Sequence, residues 1–125
     1  MSQAKYDLED RLVNFSSAVI DVVEMLPATR SAKYIAKQLI RCGLSPALLY
    51  GEAQSAESRG DFIHKMKVGL KELKETRVCL KLIQRKKMVK ILDPIAKENE
   101  ELIAIIAKSI ETAKKNRDAA SILDS

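Results

Sequence analysis

Apolar residues recur along this chain at alternating steps of four and three, which puts them on one side of an α-helix. Leu8, Leu12, Phe15, Val19, Val22 and Leu26 form the first such row, widened by Ile20 and Val23, and predict a helix over Asp7–Met25. Asp7, Glu9 and Asp10 crowd its start, where the helix dipole favours anions. Pro27 ends it, because the residue before a proline avoids the helical region. The turn Pro27-Ala28-Thr29 is so short that the next helix must run antiparallel to the first.

That second helix begins near Arg30, with Thr29 or Ser31 as N-cap, and presents Ile35, Leu39 and Ile40, with Gln38 and Arg41 on its flank. Pro46 must either kink it or make it stop and restart, since proline removes one backbone hydrogen bond. The apolar face resumes through Pro46, Ala47, Tyr50 and Ala53, which predicts a kink near Pro46 and an end near Ala56. A third helix is expected over Asp61–Arg85, with Ser58 and Asp61 at capping-box spacing. Its seam is Phe62, Met66, Gly69, Leu73, Thr76, Leu80 and Ile83. Lys67, Lys71, Lys74, Lys81 and Arg85 fall on a second stripe, and Asp61, Glu72 and Glu75 on a third, with Val68 and Cys79 between. Residues 86–90 either extend this helix or form a basic connection. Asp93 as cap and Pro94 in the first position start a fourth helix, with Ile95, Leu102, Ile106 and Ile110 on its seam and Ile103, Ala107 and Ala113 beside it. Asn99 interrupts that seam, either as a register-setting polar contact or at its margin. From Lys114 onward the pattern fades into a tail expected to fray. The pattern predicts an all-α, antiparallel up-down-up-down four-helix bundle: one domain over 1–125, with an ordered core of about 6–113.

Composition agrees with helix over sheet: 125 residues hold four Gly, three Pro and no Trp. Charge changes the picture more. The net +5 is uneven. Residues 1–27 carry five carboxylates against two cations, whereas residues 59–90 carry eleven Lys and Arg against three carboxylates, a local net +8. A polyanion is one reading of that excess, and a solvated, solubilising lysine face is the other. Cys42 and Cys79 form no C-x-x-C pair and read as small hydrophobes in a reducing compartment. Met1–Lys5 has no apolar signal core and no uncharged run approaches membrane-spanning length, so a cytoplasmic location is expected and no membrane association.

Candidate chemistry is sparse. His64 is the sole histidine, and no Glu-x-x-His pair exists to hold a metal. Glu52, Glu72 and Glu75 offer carboxylates for acid–base work, but ion pairing is the simpler use of them. Gly43 and Gly69 lie on seams and read as packing devices; neither phosphate-loop pattern is present. No cofactor or metal is expected. Tyr6, Phe15, Tyr34, Tyr50 and Phe62 are too few for a base-stacking platform, so nucleic-acid binding would rest on phosphate contacts.

Four stretches carry a family resemblance: Gln38-Leu39-Ile40-Arg41; Ser45-Pro46-Ala47 with Tyr50-Gly51-Glu52-Ala53; Glu57-Ser58-Arg59 with Asp61-Phe62-Ile63-His64-Lys65; and Leu70 through Arg77. Together they resemble the bacterial four-helix-bundle proteins first noticed as reading frames in intervening sequences of large-subunit ribosomal RNA genes. The resemblance spans residues 6–113. It implies four antiparallel helices assembled as a homopentameric ring, with no established enzymatic activity. The related accessory variability proteins of diversity-generating retroelements bind nucleic acid and a reverse transcriptase through a basic surface. By that similarity Lys67, Lys71, Lys74, Lys81 and Arg85 become candidate contacts to RNA or DNA. Gln38, Arg41, Glu52, Glu72 and Glu75 match the family's polar signature, while Leu44 and Leu49 depart from it.

The resulting expectation is a non-enzymatic, oligomeric binding module. Val68, Glu72, Glu75, Val78, Cys79 and Leu82 form its subunit interface, and the lysine stripe faces nucleic acid. The alternative is a protein-only scaffold with a solubilising lysine face.

Overall fold

The computed structural model describes residues 4–124, and the side chains of residues 8–121. Met1–Gln3, part of the stretch expected to lack a signal core, lie outside the described residues, as do the side chains of Lys5, Tyr6 and Asp7. Four helices follow one another: α1 (Ala4–Met25), α2 (Arg30–Gln54), α3 (Arg59–Arg85) and α4 (Asp93–Asp124). Each packs on its neighbour in sequence, α2 and α3 most extensively, and α1 meets α4 to close the bundle. This is the all-α four-helix bundle expected from the hydrophobic repeat.

Local chemistry explains the boundaries. Thr29 caps α2 by accepting from the Ala32 N–H at 3.2 Å, and Ser58 caps α3 by accepting from the Asp61 N–H at 3.0 Å. The capped helix therefore opens at Arg59, two residues before the expected start, with Gly60 inside its first turn. The end of α3 resolves the ambiguity at 86–90. The Met88 and Lys87 N–H groups donate back to the Ile83 and Gln84 carbonyls, with Lys87 in the left-handed region at φ 55. This is the Schellman pattern. It stops the helix and makes 86–90 a connection. In α4 the Leu92 carbonyl takes the Ala96 N–H, so Asp93 lies in the first turn and not at the cap.

α2 runs unbroken through Pro46 and does not stop and restart. Pro46 has no N–H to give the Cys42 carbonyl, and hydroxyls bond the carbonyls on either side of it. Ser45 Oγ donates to the Arg41 carbonyl at 2.6 Å, and Ser16 Oγ on α1 reaches the Gly43 carbonyl at 3.4 Å. α4 runs as helix to Asp124, well past the last seam residue near Ala113. Arg59 Nη1 ties that extension to α3 by donating to the Asn116 carbonyl at 2.7 Å.

The core is continuous: Leu12, Leu39, Leu73, Ile83 and Leu102 are each fully buried. Three seam assignments change. Ile63 is the buried residue at the start of α3, and Phe62 beside it is half-buried against the core, while the rest of the expected seam from Met66 to Ile83 is buried. Ile40 and Ile20 are exposed, since two helices flank α1 and α2 on one side only. Asn99 is buried at 1 % exposure, so it is not marginal. Its Nδ2 donates to the Leu73 carbonyl at 3.1 Å and pins the register of α4 on α3. Asn99 Oδ1 is buried without a partner among the described residues. Such an atom costs about 1–3 kcal/mol, so Asn99→Leu raises the urea midpoint by a comparable stability increment. A lower midpoint would mean the amide is fully satisfied.

Candidate nucleic-acid interface

The seam fixes which way α3 turns, and that decides what its lysines do. Glu72, Leu73, Thr76 and Leu80 face inward, so residues about half a turn away face out. Lys67, Lys71, Lys74, Lys81 and Arg85 are all exposed. They form a row about 27 Å long at 1.5 Å per residue. Lys86, Lys87 and Lys90 continue the exposed positive charge into the connection.

Neutralisation, not exposure alone, separates a binding face from an ion-pair network. Several carboxylates of α2, α3 and α4 are taken by cations outside this row. Arg77 grips Glu100 at 2.8 Å, Lys65 pairs with Glu52 at 2.9 Å, and Arg11 holds Glu98 at 2.6 Å and Glu101 at 2.9 Å. Arg41 bridges Glu72 at 2.8 Å and Glu75 at 2.9 Å, with Gln38 accepting a further bond at 3.3 Å. Among the described residues, none of Lys67, Lys71, Lys74, Lys81 and Arg85 forms an ion pair within 4.0 Å. Lys71 lies close enough to Glu75 to help hold its carboxyl below the usual range, after the larger effect of Arg41. Glu72 moves the other way: burial, then Glu75, raises it, against the pull of Arg41. The three carboxylates considered for catalysis therefore do not converge, since Glu52 is engaged by Lys65 and the other two by Arg41. Among the described residues no group of histidine, cysteine and carboxylate side chains is arranged to hold a metal.

The face expected to contact other subunits lies on the α2 side of the stripe. Glu72 is buried beneath Arg41; Glu75, Val68 and Cys79 are half-buried; Val78 and Leu82 are 56 % and 46 % exposed. On α2 the helical repeat sets Tyr34, Gln38, Arg41, Ser45 and Leu48 alongside, with Tyr34 and Leu48 also exposed. Gln38, Arg41, Glu72 and Glu75, separated in sequence by up to 37 positions, thus form one cross-helix network. Cys42 is buried and Cys79 half-buried, both as free thiols. They face each other between α2 and α3, and Cys79 helps hold the Cys42 thiol down to about 7 while its own is pushed up.

Reading by sequence missed two cations. Lys114 and Arg117 of α4 stand beside Lys67, and the Lys114 ammonium, then burial, then Arg117 push Lys67 below the ordinary lysine range. The signal lay in the basic tail Lys114-Lys115-Asn116-Arg117, which antiparallel packing lays against the start of α3. Among the described residues no helix is long and apolar enough to cross a membrane.

Two comparisons with known proteins match this architecture. Residues 5–110 match the family model described as 23S rRNA-intervening sequence protein. The fold superposes, with a TM-score of 0.77 and 27 % identity, on the crystal structure of a protein of unknown function from the S23 ribosomal protein family of Bacteroides thetaiotaomicron, covering 82 % of this chain and 97 % of that one. No curated protein matches the chain. Neither description indicates an enzyme.

Proposed function

The chain belongs to the 23S rRNA-intervening sequence protein family, and from that premise we propose that it is a non-enzymatic helical-bundle module that binds nucleic acid through phosphate contacts along α3. One observation carries the reading: Lys67, Lys71, Lys74, Lys81 and Arg85 remain exposed and unneutralised while cations outside the row take several carboxylates of α2, α3 and α4. Cations in a row on a rigid rod, with a gap at Val78, suit a polyphosphate chain and carry no base-reading geometry. Tyr34 is the one exposed aromatic among the described residues, too little for successive stacked bases. Binding is therefore sequence-tolerant and salt-sensitive. The exposed Val78 and Leu82 beside the stripe support self-association through the α2–α3 face, into a ring of five by the family resemblance. Repetition of the stripe around an oligomer raises a weak phosphate affinity by multivalency. Free thiols suit a reducing cytoplasm.

Mobility-shift titration with duplex RNA and DNA at rising salt tests this. If five cations each release a counterion, the affinity falls with a log–log slope of about −4 to −5. Absence of binding at low salt sinks the proposal. The exposed apolar residues on the α2–α3 face also fit a second reading, a protein scaffold with an acidic partner. Under that reading, pull-down of the partner from lysate survives nuclease treatment; under the first it does not.

A further inference from the structure

We propose that a cavity between α3 and α4, at Leu80 and Ala96, takes a single pyrimidine base from an unpaired nucleotide, with Asn99 Oδ1 accepting from the base's Watson–Crick edge. The inference deepens the nucleic-acid reading and rests on it for the source of the base.

The cavity arises from a size mismatch. Leu80 of α3 is buried, and the α4 residues lining the space with it include Ala96, which offers a single methyl. Cross-helix bonds hold the register around the gap. Asn99 Nδ2 donates to the Leu73 carbonyl at 3.1 Å, and Arg77 donates to Glu100 through Nε at 2.8 Å and Nη2 at 3.1 Å. They leave a space of about 120 Å³. Sites for drug-sized ligands start near about 300 Å³, so this one admits one ring and not two.

Asn99 distinguishes the cavity from a packing flaw. It is 1 % exposed and lines the space. Its amide nitrogen is spent on Leu73, which fixes the amide plane and turns the oxygen away from that carbonyl. Oδ1 has no partner among the described residues. A buried acceptor left open destabilises the fold, and a ligand N–H supplies what it lacks. Cytosine offers its exocyclic amino group and uracil a ring N–H on the edge that is free in single strands. The walls suit a ring. Leu80 and Ala96 are apolar. Arg77 is half-buried, and its two bonds to Glu100 hold the guanidinium flat, a surface on which unpaired bases stack. Lys81 also lines the cavity, is exposed, and belongs to the cationic row. A nucleotide whose base enters therefore keeps its phosphate within reach of that row. The row tolerates any sequence; the cavity adds a preference at one unpaired position.

Fluorescence anisotropy of the intact protein tests this with three single-stranded probes of one length: oligouridylate, oligoadenylate and an oligomer with abasic sites in place of bases. The wild type binds oligouridylate about tenfold tighter than the other two. Asn99→Leu removes the acceptor and Ala96→Leu fills the cavity, and each variant binds all three probes alike, at the abasic affinity. Asn99→Leu does so while unfolding at higher urea, so a lost preference is not a lost fold. Lys67→Ala weakens all three equally and keeps the ratio. Uridine monophosphate separates the two sources of a base. A rise in the melting midpoint that needs Asn99 assigns the cavity to the free nucleotide, and an oligouridylate preference without that rise assigns it to the polymer. Equal affinity of the wild type for oligouridylate and the abasic oligomer, with no rise, overturns the proposal. So does oligoadenylate bound as tightly as oligouridylate, or a preference that survives in Asn99→Leu. Failure of the parent reading looks different: no oligomer binds at low salt, yet uridine monophosphate still raises the wild-type midpoint through Asn99.

Discussion

Lys67→Glu combined with Lys74→Glu lowers the affinity for duplex nucleic acid by about a thousandfold at about 0.1 M salt. The change takes the five-residue row of Lys67, Lys71, Lys74, Lys81 and Arg85 from five positive charges to a net one. Two phosphate contacts are lost, worth about two decades at that salt at about 0.9 per contact, and repulsion between the two new carboxylates and the phosphates adds about one decade more. Both side chains are exposed and neither forms an ion pair that the substitution would break; Lys67 loses only its unfavourable like-charge neighbours Lys114 and Arg117. The far-ultraviolet circular dichroism spectrum and the melting midpoint therefore stay near wild type while binding collapses. Titration of the double variant beside the wild type is the measurement. An affinity within about threefold of wild type would mean that the lysine face only keeps the protein in solution.

Gly43→Ala lowers the melting temperature by about 3–10 °C. A Cβ at Gly43 would stand 2.8 Å from both Cγ atoms of Val19 and 3.2 Å from its Cβ. Val19 is fully buried and β-branched, so it has no free rotamer to retreat into. Either α1 and α2 move apart or Val19 is strained, at a cost of about 2–3 kcal/mol. Better helix propensity returns about 1 kcal/mol, leaving a net loss of about 1–2 kcal/mol. Gly69→Ala runs the opposite way. The new methyl meets only Leu49 Cβ at 3.8 Å, an ordinary contact, so the propensity gain of about 1 kcal/mol stands unopposed and the midpoint rises. Urea titration of both variants checks the pair. Val19→Ala introduced with Gly43→Ala provides an internal control: the double variant must be more stable than the two single losses added together. Additive losses would show that the helices do not meet at this point.

The two glycines illustrate how far the linear order of residues goes. Both occupy seam positions, and by sequence both read as close-packing devices. Only Gly43 is one. Which glycine faces a neighbouring side chain depends on how two helices cross, and a one-dimensional repeat does not contain crossing geometry. Asn99 teaches the same lesson. Its sequence position left it either on the seam or at the margin; its burial and its choice of the Leu73 carbonyl required the offset between α3 and α4. At the start of α3, Phe62 and Ile63 are neighbours 100° apart, and helix packing selected Ile63 for the core.

The candidate interface divides along the same line. The row of Lys67, Lys71, Lys74, Lys81 and Arg85 belongs to one helix, so the helical repeat alone put those residues on a common face. The partners that spare that row sit elsewhere in the chain. Glu100 for Arg77, Glu52 for Lys65, and Glu72 with Glu75 for Arg41 are cross-helix pairings. So is the meeting of Lys67 with Lys114 and Arg117, which lie in a tail whose fading apolar pattern gave no reason to place it beside α3.

Helix number, direction and most of the buried stripe were determined by the amino-acid sequence itself, through a repeat of 3.6, three short connections and caps at Thr29 and Ser58. Tertiary structure alone decided which charges cancel and which stay free. Ion pairing acts over a few ångströms between residues tens of positions apart, and only the packing of one helix on another sets those distances.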